Sequence, residues 1–148
     1  DERKPYEVHR GIDSTLALLR NQAKQDIEIV KSYGPLPQIS AFPGKINQVF
    51  MNVLNNAIQA MPEGGILNIQ TQDLGAQVAI RVRDTGVGMS EEVQKKIFDP
   101  FYTTKPVGEG TGLGMSISLG IIEQHEGKID IESIPGQGTE VIITLPVG

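Results

Sequence analysis

Cysteine is absent from this 148-residue chain, which removes disulfides, thiolate metal sites and a cysteine nucleophile from consideration. The 2 histidines are too few for a multi-histidine zinc centre. Positive charge is in deficit: 13 Lys and Arg face 18 Asp and Glu, for a formal net charge of −5. No general basic field is therefore available to hold a nucleic-acid backbone or an anionic membrane surface. No apolar run approaches membrane-spanning length and no secretory signal is recognisable, so a soluble piece without direct membrane contact is expected, although a longer parent protein can still carry an anchor. Internal repeats, low-complexity tracts and an interdomain linker are also missing, and residues 1–148 read as one domain with a sizeable core. Hydrophobic residues at 39% together with 17 glycines give the usual globular share, which argues against intrinsic disorder.

The spacing of the apolar residues predicts the elements. Ile12, Leu16, Leu19 and Ala23 recur at helical intervals over residues 10–24, an amphipathic helix, after a short stretch at 6–8 that can be extended. Residues 26–33 alternate as a half-buried strand does and are stopped by Gly34, Pro35 and Pro37. Between Pro43 and Pro62 the set Ile46, Val49, Phe50, Val53, Leu54 and Ala57 follows one helical face, with Pro43 suited to the first turn and Pro62 forbidding continuation. Residues 66–71 and 78–83 alternate on either side of a hairpin-like stretch, 73–76. After Asp84 about 25 residues are irregular except for a short helical candidate, 91–98, behind a Ser90 N-cap; such a length inside a compact domain marks a functional lid. Residues 111–124 return to helical spacing, with Gly127 as the C′ residue, and 129–134 with 140–145 form a closing hairpin. The order predicts an α/β sandwich with helices on one face of a largely antiparallel sheet.

Four groups of residues invite chemistry. Gln48, Asn52 and Asn56 stack on one ridge of the second helix. A solvated polar face is the plainer reading of that ridge; ligation of magnesium, which takes one or two hard oxygens from protein and the rest from phosphate and water, is the alternative. Asp84-Thr85-Gly86-Val87-Gly88-Met89 stands where a strand ends. It is either a plain turn or, beside a ligand, an acceptor that selects an exocyclic amine while glycines admit a base close to the backbone. Gly108-Glu109-Gly110-Thr111-Gly112-Leu113-Gly114 opens the third helix, where bare N–H groups and the helix dipole suit phosphate. Neither a P-loop nor a dinucleotide fingerprint is present. Phe98 and Phe101 read as a small satellite core anchoring a loop, and Lys105 as either solvent-facing or a cation for a terminal phosphate.

Taken in this order, the segments closely resemble the ATP-binding catalytic domain of sensor histidine kinases, in the superfamily that includes DNA gyrase and mismatch-repair ATPases, nearest the branch of nitrogen-regulation sensors. Asn52-Val53-Leu54-Asn55-Asn56-Ala57 resembles the N box, Asp84-Thr85-Gly86-Val87-Gly88 the first glycine box, Phe98-Asp99-Pro100-Phe101 the F box, Gly110-Thr111-Gly112-Leu113-Gly114 the second glycine box and Gly136-Gln137-Gly138-Thr139 a further one. The resemblance implies the Bergerat fold: an α+β two-layer sandwich, its mixed, mostly antiparallel sheet covered on one face by three helices, with a long ATP lid. It implies Mg2+ on Asn56 and Asn52, the adenine amine on Asp84, and Thr139 near the base. Gly86, Gly88, Met89, Lys105, Gly110, Thr111, Gly112, Leu113 and Gly114 would complete the ATP site, with Asn52, Asn56 and Lys105 as its catalytic residues.

Two departures narrow what the resemblance implies. Gyrase-type ATPases carry a glutamate where this chain has Asn52, and an amide is no general base, so hydrolysis is not the favoured reaction. Many histidine kinases place a basic residue just after the second Asn; Gln59 and Ala60 here shift the phosphate cation to Lys105. The phosphoaccepting histidine, which the family carries on a two-helix dimerisation hairpin, is expected on another part of the same parent protein. His125, at a helix end where the dipole favours a cation, and His9 read as structural. The implied partners are that dimerisation domain and a downstream response regulator receiver domain, with no nucleic acid; the isolated domain is expected to be a cytoplasmic monomer. A non-catalytic ATP-sensing module and a water-activating ATPase are the alternatives.

Overall fold

In the computed structural model, which describes residues 2–21, 26–103 and 114–148, the chain runs β1 (Lys4–Tyr6), α1 (Val8–Arg20), β2 (Ile27–Tyr33), β3 (Ile39–Ala41), α2 (Pro43–Gln59), β4 (Gly65–Asp73), β5 (Gln77–Asp84), α3 (Glu91–Lys96), α4 (Gly114–Gln124), β6 (Lys128–Ile134) and β7 (Gly138–Pro146). Five strands form one sheet in the order β2-β4-β5-β7-β6; β1 and β3 pair separately. β2 lies parallel to β4 and the other pairs of the large sheet are antiparallel. A parallel pair needs a crossover between its strands, and α2 supplies it.

Strand register determines which residues face the helices. Across the sheet Ile69, Val82, Val141 and Ile131 form one row, and Leu67, Asp84, Thr139 and Ser133 form the next, two residues along each strand. Because side chains alternate, both rows point to the same side. That side is covered by α1, α2 and α4, which bring Ile12, Leu16, Phe50, Leu54 and Ile122 into one core with Leu67, Ile69 and Ile80. Gln70 and Gln72, on the opposite face of β4, are exposed. The predicted two-layer sandwich, mixed sheet and helical cover are all present, and α3 is the short helix expected behind Ser90, ending at Lys96.

Some boundaries differ from expectation. α1 begins at Val8 and ends at Arg20, with Asn21 as C-cap; Ala23 and Lys24 lie outside the described residues. β3, unanticipated in sequence, is held by β1 on one side and by Ser40 N–H donating to Val147 O at 2.9 Å. α4 ends in a Schellman motif, with Gly127 N–H on Ile122 O and Glu126 N–H on Glu123 O, both at 2.9 Å. Its left-handed residue is Glu126, φ 60°, rather than Gly127. Gly127 is instead required by space, since a Cβ there would run into the Thr144 carbonyl oxygen.

The F-box aromatics also divide. Phe98 packs on the core, whereas Phe101 is 73% exposed and has φ 68°, so of the two phenylalanines Phe98 anchors the loop, together with Ile97. His9 stacks on Tyr33 at 4.1 Å between ring centroids, and its Nε2 lies 2.7 Å from Thr71 Oγ1; burial lowers its pKa, opposed by the charge of Asp13. His125 is buried, with Nδ1 2.8 Å from Ile121 O and Nε2 accepting from Phe42 N–H at 3.1 Å. That pattern requires the neutral Nδ1–H tautomer. Both ring nitrogens are taken up by main-chain groups, which ties the end of α4 to the start of α2 and fits the structural role expected for His125. Among the described residues no helix is long and apolar enough to cross a membrane.

Candidate functional site

Where α2 passes over the end of β5, the two layers part around a cavity of about 410 Å3, within the range of small-molecule sites. α2 contributes Asn52, Val53, Asn55, Asn56 and Ala57; the sheet contributes Val82, Asp84, Ile131, Thr139 and Val141. The loop after β5 adds Val87, Gly88 and Met89, α4 adds Gly114 and Met115, and Ile97, Tyr102 and Thr103 close a further side. The composition is an apolar enclosure with a few convergent polar groups.

Asp84 is the acidic member. It is the last residue of β5, 5% exposed, and stands in the inward-facing row that otherwise belongs to the core. Burying a carboxylate is costly unless it is hydrogen-bonded. Oδ1 accepts Gly86 N–H at 2.8 Å and Thr139 N–H at 3.3 Å. No hydrogen bond among the described residues occupies Oδ2, and Asp84 lines the cavity. Burial raises the carboxyl pKa, and the two main-chain donors oppose the rise. The arrangement is a fixed hydrogen-bond acceptor at the bottom of an apolar enclosure.

The loop that follows is fastened on both sides. Val87 N–H donates to Ala60 O at 3.0 Å, and Gly136 N–H donates to Val87 O at 2.7 Å. A Cβ on Gly86 would strike the Ala60 carbonyl, and one on Gly88, φ 69°, would strike that of Ile134. These glycines admit the protein's own backbone; Gly88 and Met89 line the cavity, and Gly86 is packed behind them on the end of α2. Ser133 Oγ accepts Met89 N–H at 2.8 Å, while Gln94 Nε2 bridges Met89 O at 2.9 Å and Ser133 O at 3.1 Å. Gln94 is presented by α3, which starts at the expected cap, Ser90 Oγ accepting from Val93 N–H at 3.2 Å.

On the helix side the amide ridge splits. Gln48 is exposed, whereas Asn52 and Asn56 line the cavity. Asn52 Nδ2 donates to Gly114 O at 3.0 Å and contacts Ser118 Oγ at 3.2 Å, joining α2 to the start of α4 and leaving its oxygen as the remaining acceptor. Among the described residues no group of three His, Cys, Asp or Glu could hold a metal. The donor set here fits a hard cation that takes an amide oxygen or two from protein and its other ligands from phosphate and water. Lys105, Gly110, Thr111, Gly112 and Leu113 lie outside the described residues. Sequence reasoning missed Ser133 and Gln94, and the apolar walls Val82, Ile131, Val141 and Met115. Ser133 stands opposite Thr139 because only three residues, 135–137, separate β6 from β7, with Gly138 already paired to Ile134.

The comparisons with known proteins agree in kind. The family model described as Histidine kinase-, DNA gyrase B-, and HSP90-like ATPase matches residues 43–148. Sporulation kinase E of Bacillus subtilis (strain 168) is 46% identical over 113 residues, 76% of this chain and 15% of the relative. Sporulation kinase C of the same organism is 41% identical over 147 residues, 97% of this chain and 34% of the relative. The chain thus spans at most about a third of these curated relatives. The solved catalytic domain of histidine kinase ThkA superimposes with a TM-score of 0.88 at 33% identity, covering 99% of this chain and 97% of that one.

Proposed function

The chain belongs to the family of histidine kinase-, DNA gyrase B- and HSP90-like ATPases, among the catalytic domains of histidine kinases, and from that premise we propose that it binds Mg-ATP and delivers the γ-phosphoryl group to a histidine on a separate dimerisation domain of its parent protein. The observation that carries this reading is that one cavity gathers a buried acceptor, Asp84, the amides Asn52 and Asn56, and the start of α4 at Gly114.

In this reading Asp84 Oδ2 accepts the adenine amine, with Thr139, Gly88 and Met89 around the base and Gly86 holding the loop. Asn52 and Asn56 face the phosphates together with Lys105 and the 110–114 segment. The amide oxygens of Asn56 and Asn52 would hold magnesium, which would supply neutralisation of the charge developing on the phosphates. A nitrogen of the acceptor imidazole forms a bond to the γ-phosphorus as the bond to the bridging oxygen breaks, leaving ADP. What remains for this chain is positioning and charge neutralisation, as phosphoryl transfer generally requires. Asn52 cannot take a proton from water, because its Nδ2 is a donor and its amide oxygen is a very weak base; this weighs against a water-activating ATPase. Residues 1–148 act as one domain, monomeric alone and cytoplasmic, and a response regulator receiver domain takes the phosphoryl group onward.

The test is to incubate the chain with γ-labelled ATP and a separately supplied dimerisation hairpin. Label on the hairpin histidine is the expected result. Binding without transfer would make the chain a nucleotide-sensing module, and steady release of free phosphate by the chain alone would make it a hydrolase.

A further inference from the structure

Thr139 lines the cavity beside Asp84, and its hydroxyl oxygen is 2.8 Å from Ser133 Oγ. In an isolated pair of hydroxyls either can donate. Here the other partners of Ser133 decide. A hydroxyl has one proton and two lone pairs. Ser133 Oγ receives Met89 N–H at 2.8 Å, which takes one lone pair, and donates to Gly138 O at 2.9 Å, which takes the proton. The only remaining capacity is one lone pair, so the Thr139 hydroxyl must be the donor of the pair.

We propose that Ser133, which is not itself part of the cavity wall, sets the base preference of the site by drawing the Thr139 proton away from the ligand, so that Asp84 and Thr139 meet the purine with hydrogen-bond acceptors alone. The inference rests on the assignment of this cavity to a purine nucleotide. A purine with an amine at C6 offers the donors that this pair requires. A purine with a carbonyl at C6, such as hypoxanthine, sets oxygen against oxygen there and keeps a single donor on that edge, N1–H, so at least one of the two acceptors is left unpaired, which is how a polar site rejects an analogue. Without Ser133 Oγ the Thr139 hydroxyl is free to turn and donate to that carbonyl. Ser133 is thus a positioning residue, and Gln94, which grips the Ser133 and Met89 carbonyls, keeps it in register.

The experiment is calorimetric titration of the chain with Mg-ATP and with Mg-ITP, read as the ratio of the two affinities. Wild type should prefer ATP. Ser133→Ala should narrow the ratio about tenfold, the worth of one hydrogen bond, and Ser133→Thr, which keeps a hydroxyl, should restore it. In a Thr139→Val background Ser133→Ala should change the ratio no further. Equal loss of both affinities in Ser133→Ala, with the ratio unchanged, would reduce Ser133 to structural support and overturn the proposal. If Ser133→Ala does not fold, Thr139→Val alone decides, an unchanged ratio again overturning it. Failure of the underlying assignment has its own signature: a wild type indifferent to the base, or an Asp84→Asn variant that keeps full preference, removes Asp84 from the base pocket and the inference with it.

Discussion

On the sheet side of the cavity, Asp84 and Thr139 are placed by strand register and by main-chain donors. On the helix side, Asn52 and Asn56 are placed by one turn of α2 and by the partners that Asn52 finds on α4. The first arrangement is rigid, because moving either residue breaks ladder pairing. The second is less tightly fixed, because it rests on side-chain bonds, which can break and re-form without disturbing the backbone of α2. Under the proposed function, a site so divided would meet the flat, invariant part of a nucleotide with its fixed wall and the flexible, solvated phosphates with the other.

The contrast should be sharpest at glycines. Gly138→Ala places a Cβ at φ 129° against the Asp84 carbonyl, so a stability loss of about 3 kcal/mol is expected in denaturant titration. Asp84→Asn keeps an oxygen for the Gly86 and Thr139 N–H groups but loses the charge-assisted bond to the base. ATP affinity should fall by about 2 kcal/mol, roughly thirtyfold, with the fold retained by circular dichroism.

The same carboxyl gives the site a pH dependence. Burial raises its pKa above the ordinary aspartate value. ATP affinity should therefore decline on acidification through that raised value, at a higher pH than an exposed aspartate would allow, and Asp84→Asn should flatten the profile. The stability contribution runs the other way. A carboxyl with a folded pKa above its unfolded one contributes stability that is present below the unfolded pKa and lost as pH rises through the folded one; comparing denaturant midpoints of wild type and Asp84→Asn across that window reads it.

Effects on the helix side should be milder. Asn56→Ala is expected to weaken the magnesium-dependent part of ATP binding about tenfold while leaving adenosine binding mostly intact, measurable by titration with and without the cation. Gly120, on α4, has open space where a Cβ would stand. Gly120→Ala should stabilise the domain by about 0.5–1 kcal/mol, the smallest effect of the series.

What sequence could convey followed from repetition. The α2 stripe, the β4–β5 and β6–β7 hairpins and the Ser90 cap are local patterns, and each is present where its pattern lies. The parallel placement of β2 beside β4 is a pairing between distant segments that no local period encodes. β3 is three residues long, too short to alternate visibly. The end of α4 turns on Glu126 because tertiary packing against Thr144 claims the neighbouring glycine. At the site, Asp84, Asn52 and Asn56 stood out as polar residues at the edges of apolar patterns, whereas Thr139 entered only through the family resemblance. Gln94 looked like any exposed helix residue, since its role depends on two carbonyls from separate segments.

The position of β2 has a consequence for how the domain comes apart. It is joined to the large sheet through β4 alone, by a ladder whose partners Ile27 and Gly65 lie 38 residues apart in sequence. Such a pairing closes late in folding and opens early, whereas the β4–β5 and β6–β7 hairpins re-form locally. Amide hydrogens of β2 should exchange with solvent first, while those around Asp84 and Thr139, two and three strands inward, stay protected. The edge can fray and reseal without the cavity beneath α2 being disturbed.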